Sequence, residues 1–232
     1  MKKFFILLSA CMLSFTATSC KFIRFNGEDE VLISKDEGDT SVRDYTVEEF
    51  TELEINIPCE VKYTIGKSSL SIACTDAQAE KLEIRQEGSQ LTISSKVKKN
   101  YINLANKKIT IYLSSGKLNN LTTNGAVDFE AESGIKADDF HASFNGASDI
   151  EIEGLEAKAV SLIINGAADL SVENLACEYV KVSGNGAADC KISGKAQDGE
   201  MSVNGAGTID VRKLDISHLS SSVNGAGKVL RK

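Results

Sequence analysis

The 232-residue chain has one proline, no tryptophan and only two histidines, His141 and His218. No spacing of Cys and His resembles a zinc site. Neither His has an evident partner of the kind that a hydrolase triad needs. The formal net charge of −7, with no basic groove, argues against a nucleic-acid partner. The sequence therefore predicts no catalytic residue, no cofactor and no nucleic-acid site.

What is abundant is Gly, Ser, Asn and β-branched residues, a composition typical of a strand-rich chain with many corners. Asn-Gly-Ala occurs six times, in steps of 21, 20, 20, 19 and 20 residues. Such a fixed period is the signature of a stacked-repeat architecture. The six copies begin at Asn124, Asn145, Asn165, Asn185, Asn204 and Asn224.

The flanks of each Asn alternate with period two, which predicts a short strand on either side of it. A two-residue hairpin is the first interpretation of Asn-Gly between such strands. In that hairpin, however, Leu162 would share a face with Asp169, and Val182 with Asp189. If each repeat is instead one coil of a parallel solenoid, the apolar residues all point inward and Asp and Ser point outward. The hairpin interpretation therefore fails.

The sequence thus predicts an all-β fold, a single-stranded parallel β-helix with coils of about 20 residues. Successive strands would stack about 4.8 Å apart, and a row of Asn side chains would hydrogen-bond along the axis. The last coil carries Arg231 at a position where other coils have Ile or Val, and the chain then ends with Lys232. Charges there are typical of a capping coil that discourages end-to-end stacking.

The first 19 residues predict a leader, with Lys2 and Lys3 followed by an apolar run too short for a permanent membrane helix. The sequence up to Cys20 resembles a bacterial lipoprotein signal, which implies cleavage before Cys20 and lipid attachment there. An ordinary secretory leader is the alternative. Residues 20–44 have no sustained period and predict a lipidated flexible tether. The β-helix domain is then residues 45–232, and its location is the cell envelope, anchored to the membrane.

Residues 45–230 resemble the bacterial family described as putative auto-transporter adhesin, head GIN domain. The resemblance rests on Phe50-x-x-Leu53-x-Ile-x-Ile, on Val61-x-Tyr-x-Ile-Gly66, on the Leu91-x-Ile93 strand after Gly88, and on the serial Gly-Ala-x-Asp-Ile-like corners. It implies a right-handed parallel β-helix and a non-catalytic adhesion or binding role at the envelope, probing a protein or glycan partner. The outer membrane is the expected membrane, with the periplasmic and surface faces both left open.

Four aspartates stand four residues after their Asn, so a solenoid stacks them in one outward column: Asp128, Asp149, Asp169 and Asp189. Thr208 and Lys228 take this position in the next two coils. Like charges about 5 Å apart repel by roughly 1 kcal/mol per pair in water, so something should offset the repulsion. Each carboxylate could accept a backbone N–H at its own corner. Alternatively, the column binds Ca²⁺ or a basic partner weakly.

Two further alternatives remain open from the sequence. If Gly66-Lys67 is a two-residue turn, Cys59 lies opposite Cys74 and a disulfide is sterically feasible; two separate buried thiols are the other interpretation. The alternative to a binding module is an envelope carbohydrate-active enzyme, since β-helices also host such enzymes. Against it, the chain has no Trp, and of the four aromatic residues after 120 only Tyr179 is at an outward position.

Overall fold

The structure is a computed structural model that describes residues 38–97 and 107–232. Strand accounts for 74% of the residues and helix for 3%, and the strands form a parallel β-solenoid of about six turns, roughly 20 residues apart. The predicted β-helix is confirmed. The elements of the described residues are β1 (Ser41–Tyr45), β2 (Glu52–Ile55), β3 (Cys59–Ile65), β4 (Ser69–Cys74), α1 (Asp76–Lys81), β5 (Leu82–Glu87), β6 (Gln90–Ser95), β7 (Thr110–Ser115), β8 (Asn120–Ala131), β9 (Ile135–Lys136), β10 (Asp139–Ile152), β11 (Leu155–Glu156), β12 (Ala159–Gly205), β13 (Thr208–Gly225) and β14 (Lys228–Leu230).

Equivalent residues of successive coils lie side by side, as the period requires. In the parallel pairs of β10, Asn145 lies between Asn124 and Asn165. The one short step, of 19 residues, ends at Asn204. A register shift in the pairing of β12 with β13, between Lys191 and Ser193, then restores the 20-residue step. The bulge thus keeps the later corners stacked.

Glycine is required at each corner because the backbone turns there with positive φ and the coils touch. Gly186 has a φ of +125°, and a Cβ built on it would lie 2.3 Å from the carbonyl oxygen of Gly166. No side chain fits between these backbones, and L-residues rarely adopt this φ. The glycine of Asn-Gly-Ala is therefore a structural necessity of the stack.

The asparagines form a ladder of side-chain amides along the axis. Each Nδ2 donates to the Oδ1 of the previous coil over 2.6–3.0 Å, from Asn204 back through Asn185, Asn165 and Asn145 to Asn124. The ladder continues one step further than the repeats do, because Asn124 donates to Asn56. Asn56 in turn donates to Glu54 Oε1 over 3.0 Å, which ends the row.

Inside the coils, the apolar residues of the strands stack into one continuous core. Phe144 and Ile164 before the corner, and Ile150 and Leu170 after it, are at most 2% exposed. Their inward position follows from the period-two pattern, so the predicted inward and outward assignment is confirmed. Thr123 is an exception: it takes the place of Phe144 in the first repeat and is fully buried.

Two faces of the solenoid matter below. The first face contains the strands that precede each Asn, and the second face contains those that follow it. At the N-terminal end, β8 continues the first face into β2, then β6, then the antiparallel β5. It continues the second face into β3 and β7, then the antiparallel β4 and β1. Residues 41–44, placed in the tether by the sequence analysis, thus form most of β1.

The suggested pairing of Cys59 with Cys74 rested on a β3–β4 hairpin, and that hairpin is wrong. β7 lies between β3 and β4, parallel to the first and antiparallel to the second. Two strand spacings put the two Cα atoms about 10 Å apart, beyond the reach of a disulfide. The four cysteines of the described residues form no disulfide. Sequence adjacency favoured the hairpin, but a strand from further along the chain takes the position.

Candidate functional site: an acidic flank on the second face

The four predicted aspartates do form an outward column on the second face. Asp149 lies between Asp128 and Asp169 in the parallel register, and Asp189 pairs with Thr208 in the next coil. The alternation that buries Ile150 and Leu170 turns the preceding Asp outward. The column has a further member that the sequence analysis missed, since Glu60 of β3 lies beside Asp128. Only the tertiary register of β3 against β8 shows this neighbour.

A second acidic row runs beside the column, two residues further along each strand. It consists of Glu130, Glu151 and Asp210, with Ser171 and Lys191 at the intervening coils. We call the two rows together the acidic flank. A shallow groove of about 570 Å³ follows its middle and C-terminal part, lined by Asp149, Glu151, Asp169, Leu170, Ser171, Asp189, Cys190, Lys191, Thr208 and Asp210.

The N-terminal end of the acidic flank is neutralised by lysines. Lys108 Nζ lies 2.6 Å from Asp128 Oδ2 and 3.7 Å from Glu60 Oε2. Lys62 Nζ lies 3.1 Å from Glu130 Oε2, and this hydrogen bond with the Glu130 carboxylate raises the pKa of Lys62. The repulsion between stacked carboxylates is therefore offset here by cations of β3 and of the segment before β7.

The C-terminal end is also compensated, but by different means. Asp189 Oδ1 accepts the backbone N–H of Thr208 over 2.8 Å. Asp210 accepts two hydrogen bonds from the Arg212 guanidinium, at 3.0 and 2.6 Å, and one from the Arg212 backbone N–H. The side-chain bonds first, and the backbone bond next, lower the pKa of Asp210 to about 2. These carboxylates stay charged because donors of the chain itself surround them.

The middle of the acidic flank has no such compensation. Within residues 38–97 and 107–232, no donor hydrogen-bonds to Asp149, Glu151 or Asp169. None of the four aspartates accepts a backbone N–H of its own corner in that part of the chain, so the turn-forming interpretation is wrong. Asp189 is bonded to the following coil instead. Three uncompensated carboxylates thus face solvent along about two strand spacings, roughly 10 Å.

Metal binding by the acidic flank gains no support from this geometry. Among the described residues, no three carboxylate, imidazole or thiol side chains are close enough together to hold a metal ion. Stacked carboxylates of adjacent strands point in parallel, whereas Ca²⁺ needs six to eight oxygens around one point. The weak calcium hypothesis for the Asp column stays a prediction.

Both histidines point outward, as predicted, but His218 has a partner that the sequence analysis missed. Its Nδ1 lies 2.9 Å from Asp198 Oδ1. Both residues stand six positions before their Asn, so the repeat register alone would have placed them side by side. Tyr179 occupies the same outward position one coil earlier, and its hydroxyl donates to Glu200 Oε2 over 3.2 Å. In the described residues no Ser or Cys bonds to either His.

The remaining cysteines belong to the core rather than to a site. Burial raises the pKa of the Cys59 and Cys190 thiols to about 12. Burial also raises that of the half-buried Cys177 to about 11. At neutral pH these thiols are protonated and therefore poor nucleophiles and metal ligands.

Cys20, the leader and most of the tether lie outside the described residues. In the part of the chain that the structure describes, there is no helix with the length and hydropathy needed to cross a membrane.

Fold and surface together define a class of protein: a repetitive β-solenoid with a charged, groove-bearing flank and buried, unreactive thiols. Residues 49–230 match the family model described as putative auto-transporter adhesin, head GIN domain, and the chain belongs to this family. The resemblance stated from the sequence is confirmed. Membership supports a binding or adhesion role at the cell surface or envelope.

Solved structures agree on the fold. A putative adhesin from Bacteroides fragilis NCTC 9343 superposes with a TM-score of 0.65 at 21% identity, covering 84% of this chain and 97% of that one. A putative adhesin from Parabacteroides merdae ATCC 43184 gives 0.55 at 16% identity, covering 86% and 98%. One from Parabacteroides distasonis ATCC 8503 gives 0.53 at 15%, covering 85% and 99%. A search of curated proteins gives no match.

Proposed function

We propose that this protein is a lipid-anchored, non-catalytic adhesion module of the bacterial cell envelope, and that its acidic flank contacts a basic partner. The observation that carries the proposal is the uncompensated group of Asp149, Glu151 and Asp169 in the middle of the flank. Carboxylates held in a row by the backbone register cannot move apart to relieve their repulsion. A cationic partner gains Coulomb energy from all three at once, without any rearrangement of the solenoid.

The basic-partner part is tested with an octalysine peptide as probe, labelled for fluorescence anisotropy. Wild type should bind it at low salt and lose most of the binding at 0.5 M NaCl, because surface charges are screened there. Asp149→Asn/Asp169→Asn should weaken binding at low salt several-fold. The matched control is Glu83→Gln/Glu87→Gln, which removes the same charge from β5 at the end of the solenoid. Equal weakening by both double variants would contradict a role for the flank.

The anchoring part concerns Cys20, which we assign as the lipid attachment site in the outer membrane. Support comes from the leader sequence, which places a small residue before this Cys. Replacing Cys20 by Ala should release the protein from the membrane fraction and abolish incorporation of labelled palmitate. Cys11→Ala is the control, since Cys11 lies inside the apolar run of the leader. Unchanged membrane association of Cys20→Ala would show that the anchor lies elsewhere.

A further inference from the structure

The last strand of the first face has an outer edge with which no described residue pairs. This C-terminal edge strand, residues 219–225, lies against the preceding coil, where Ser221 pairs with Met201 and Val223 with Val203. Met201 and Val203 are at most 2% exposed, because this strand covers them. Val223 itself is 47% exposed, since no further coil follows it in the stack. The edge therefore offers both backbone hydrogen-bonding groups and an incompletely covered core.

Sheet edges of this kind are normally protected by charge, and here they are not. The nine residues from Leu219 to Gly227 include no charged side chain. The contrast is β5, the edge strand at the other end of the same face. It alternates Glu83, Arg85 and Glu87, which pair with one another at 3.3 and 3.7 Å. Charges on an edge strand oppose the addition of another strand, so the two ends of the first face differ in their ability to accept one.

The charge around the unprotected edge indicates what fits it. Residues 211–232 contain five basic side chains and one acidic one, in a chain where acidic residues outnumber basic ones by 33 to 26. A symmetric pairing of two such ends would bring like charges together. An extended segment flanked by carboxylates would instead be attracted. Lys228 stands at the start of β14, directly after the uncharged run.

One segment of the chain itself has this chemistry. Residues 28–37 read Glu-Asp-Glu-Val-Leu-Ile-Ser-Lys-Asp-Glu, with four uncharged, mostly β-forming residues between acidic groups. They lie outside the described residues and directly precede the point where the described fold begins, at Gly38.

The segment cannot reach the edge of its own copy. Gly38 lies at the N-terminal end of the solenoid, where its carbonyl oxygen accepts a hydrogen bond from Lys107. From β4 to β14 the second face advances about eight strand spacings, roughly 38 Å. The three residues 35–37 span about 10 Å when fully extended. Any pairing of residues 31–34 with the C-terminal edge strand is therefore between two copies.

We propose that residues 28–37 of one copy add as a β-strand to the C-terminal edge strand of a second copy. The backbone of the edge provides the hydrogen bonds, as in other cases of strand addition. The added strand covers Val223, and the acidic flanks meet the basic residues of the last coil. The contact uses different surfaces on the two partners, so it does not close on itself and builds rows of molecules. It does not depend on the proposed adhesion function, since it concerns a different surface.

The test is cysteine cross-linking of the full chain in membranes of the cells that produce it, read on non-reducing gels. Ser222→Cys is combined with Leu32→Cys or with Ile33→Cys, so that both sides of the added strand are sampled. The expected result is a ladder of dimers, trimers and longer species with at least one combination. Ser183→Cys is the matched control for the edge, because Ser183 has the same offset from its Asn, two coils inside the stack. Combined with the same partners, it should give monomer.

Three results would overturn the proposal. The first is monomer with both combinations, and the second is an equal ladder with Ser183→Cys. The third is a dimer from Ser222→Cys alone, which would mean that two C-terminal edges meet. Adding Val223→Glu to the productive combination should abolish the ladder, because an inward-pointing charge on an edge opposes strand addition. Val223 is exposed, so this change leaves the fold intact, and a persistent ladder would also contradict the proposal.

Discussion

At the scale of the residue, the Asn-Gly-Ala corner combines two requirements with different physical origins. Gly is imposed by backbone geometry, because a Cβ would overlap the neighbouring coil. Asn is selected by its side chain, which both donates and accepts and so can hydrogen-bond to a copy of itself one strand away. Neither requirement involves a ligand, and the repetition of the motif is therefore structural.

Gly186→Ala tests the first requirement. The new Cβ would lie 2.3 Å from the Gly166 oxygen at a φ of +125°, and we expect a loss of roughly 2–4 kcal/mol in unfolding free energy. Gly184→Ala is the matched control. Its Cβ would meet Ala188 Cβ at 3.4 Å, and Gly184 has no positive φ, so it should be neutral or stabilising by up to about 1 kcal/mol. Urea unfolding measures both; similar losses would contradict the close approach of the coils.

Asn165→Ala tests the second requirement. The Asn165 side chain donates to Asn145 over 2.8 Å and accepts from Asn185 over 2.9 Å. Removing both bonds at this exposed position should cost about 1–2 kcal/mol. Asn224→Ala is the control, since its side chain has no hydrogen-bond partner in the described part of the chain, and it should cost little. If both variants melt alike, the ladder does not stabilise the fold.

At the scale of the element, the bulge that follows Asp210 creates the most strongly held carboxylate of the acidic flank. The pKa of Asp210 is lowered to about 2, against about 3.9 in an unfolded chain. A lowered pKa stabilises the folded state fully above about pH 4, and this contribution is lost as the pH falls through about 2.

Arg212→Gln should therefore be less stable than wild type above pH 4, and the difference should shrink towards zero at pH 2. Urea midpoints measured from pH 6 to pH 2 check this. Lys213→Gln is the control, because Lys213 makes no ion pair in the described residues and its effect should not change between pH 4 and 2 in the same way. A difference for Arg212→Gln that is constant over the whole range would mean that the Asp210 pKa is not lowered.

The Asp column calls for its own experiment at this scale, a thermal melt with and without millimolar calcium. Since no three ligands converge on one point, we expect identical curves for wild type in the two conditions. Asp149→Asn/Asp169→Asn should melt slightly higher than wild type, because it removes repulsion between stacked carboxylates. A rise with calcium that the double variant abolishes would instead establish calcium binding by the column.

At the scale of the whole molecule, the solenoid is a sum of nearly equivalent coils, each in contact only with its neighbours. Such a molecule tolerates the loss of a whole period better than the loss of part of one. The register shows why: every residue from Asp139 to Ile152 has its equivalent in β12 exactly one coil later.

Deletion of residues 166–185 joins Asn165 to Gly186 and should leave a folded solenoid that is one coil shorter, by about 4.8 Å. Its unfolding free energy should fall, because one interface between coils is lost. Circular dichroism and X-ray scattering check strand content and length. Deletion of residues 166–175 is the control: it joins a corner to the middle of a coil and should abolish the fold. Folding of both, or of neither, would contradict the independence of the coils.

The sequence alone determined the repeated part of the molecule. The period of the Asn-Gly-Ala corner gives the coil length, and the alternation around Ile164 and Asp169 gives the inward and outward sides. Both are local patterns that the parallel register simply copies from coil to coil. For the same reason the Asp column was predictable, residue by residue, before any coordinate was known.

The tertiary structure decided everything in which one segment meets another without a shared period. The insertion of β7 between β3 and β4 separates Cys59 from Cys74. Asn56 extends the ladder and Glu60 the acidic column, although neither has the repeat motif around it. These contacts depend on long-range pairing, whose register is set by the packing of the core and not by residues near each other in the chain. The charge balance of the acidic flank, and the unprotected edge at its far end, are therefore properties of the folded solenoid.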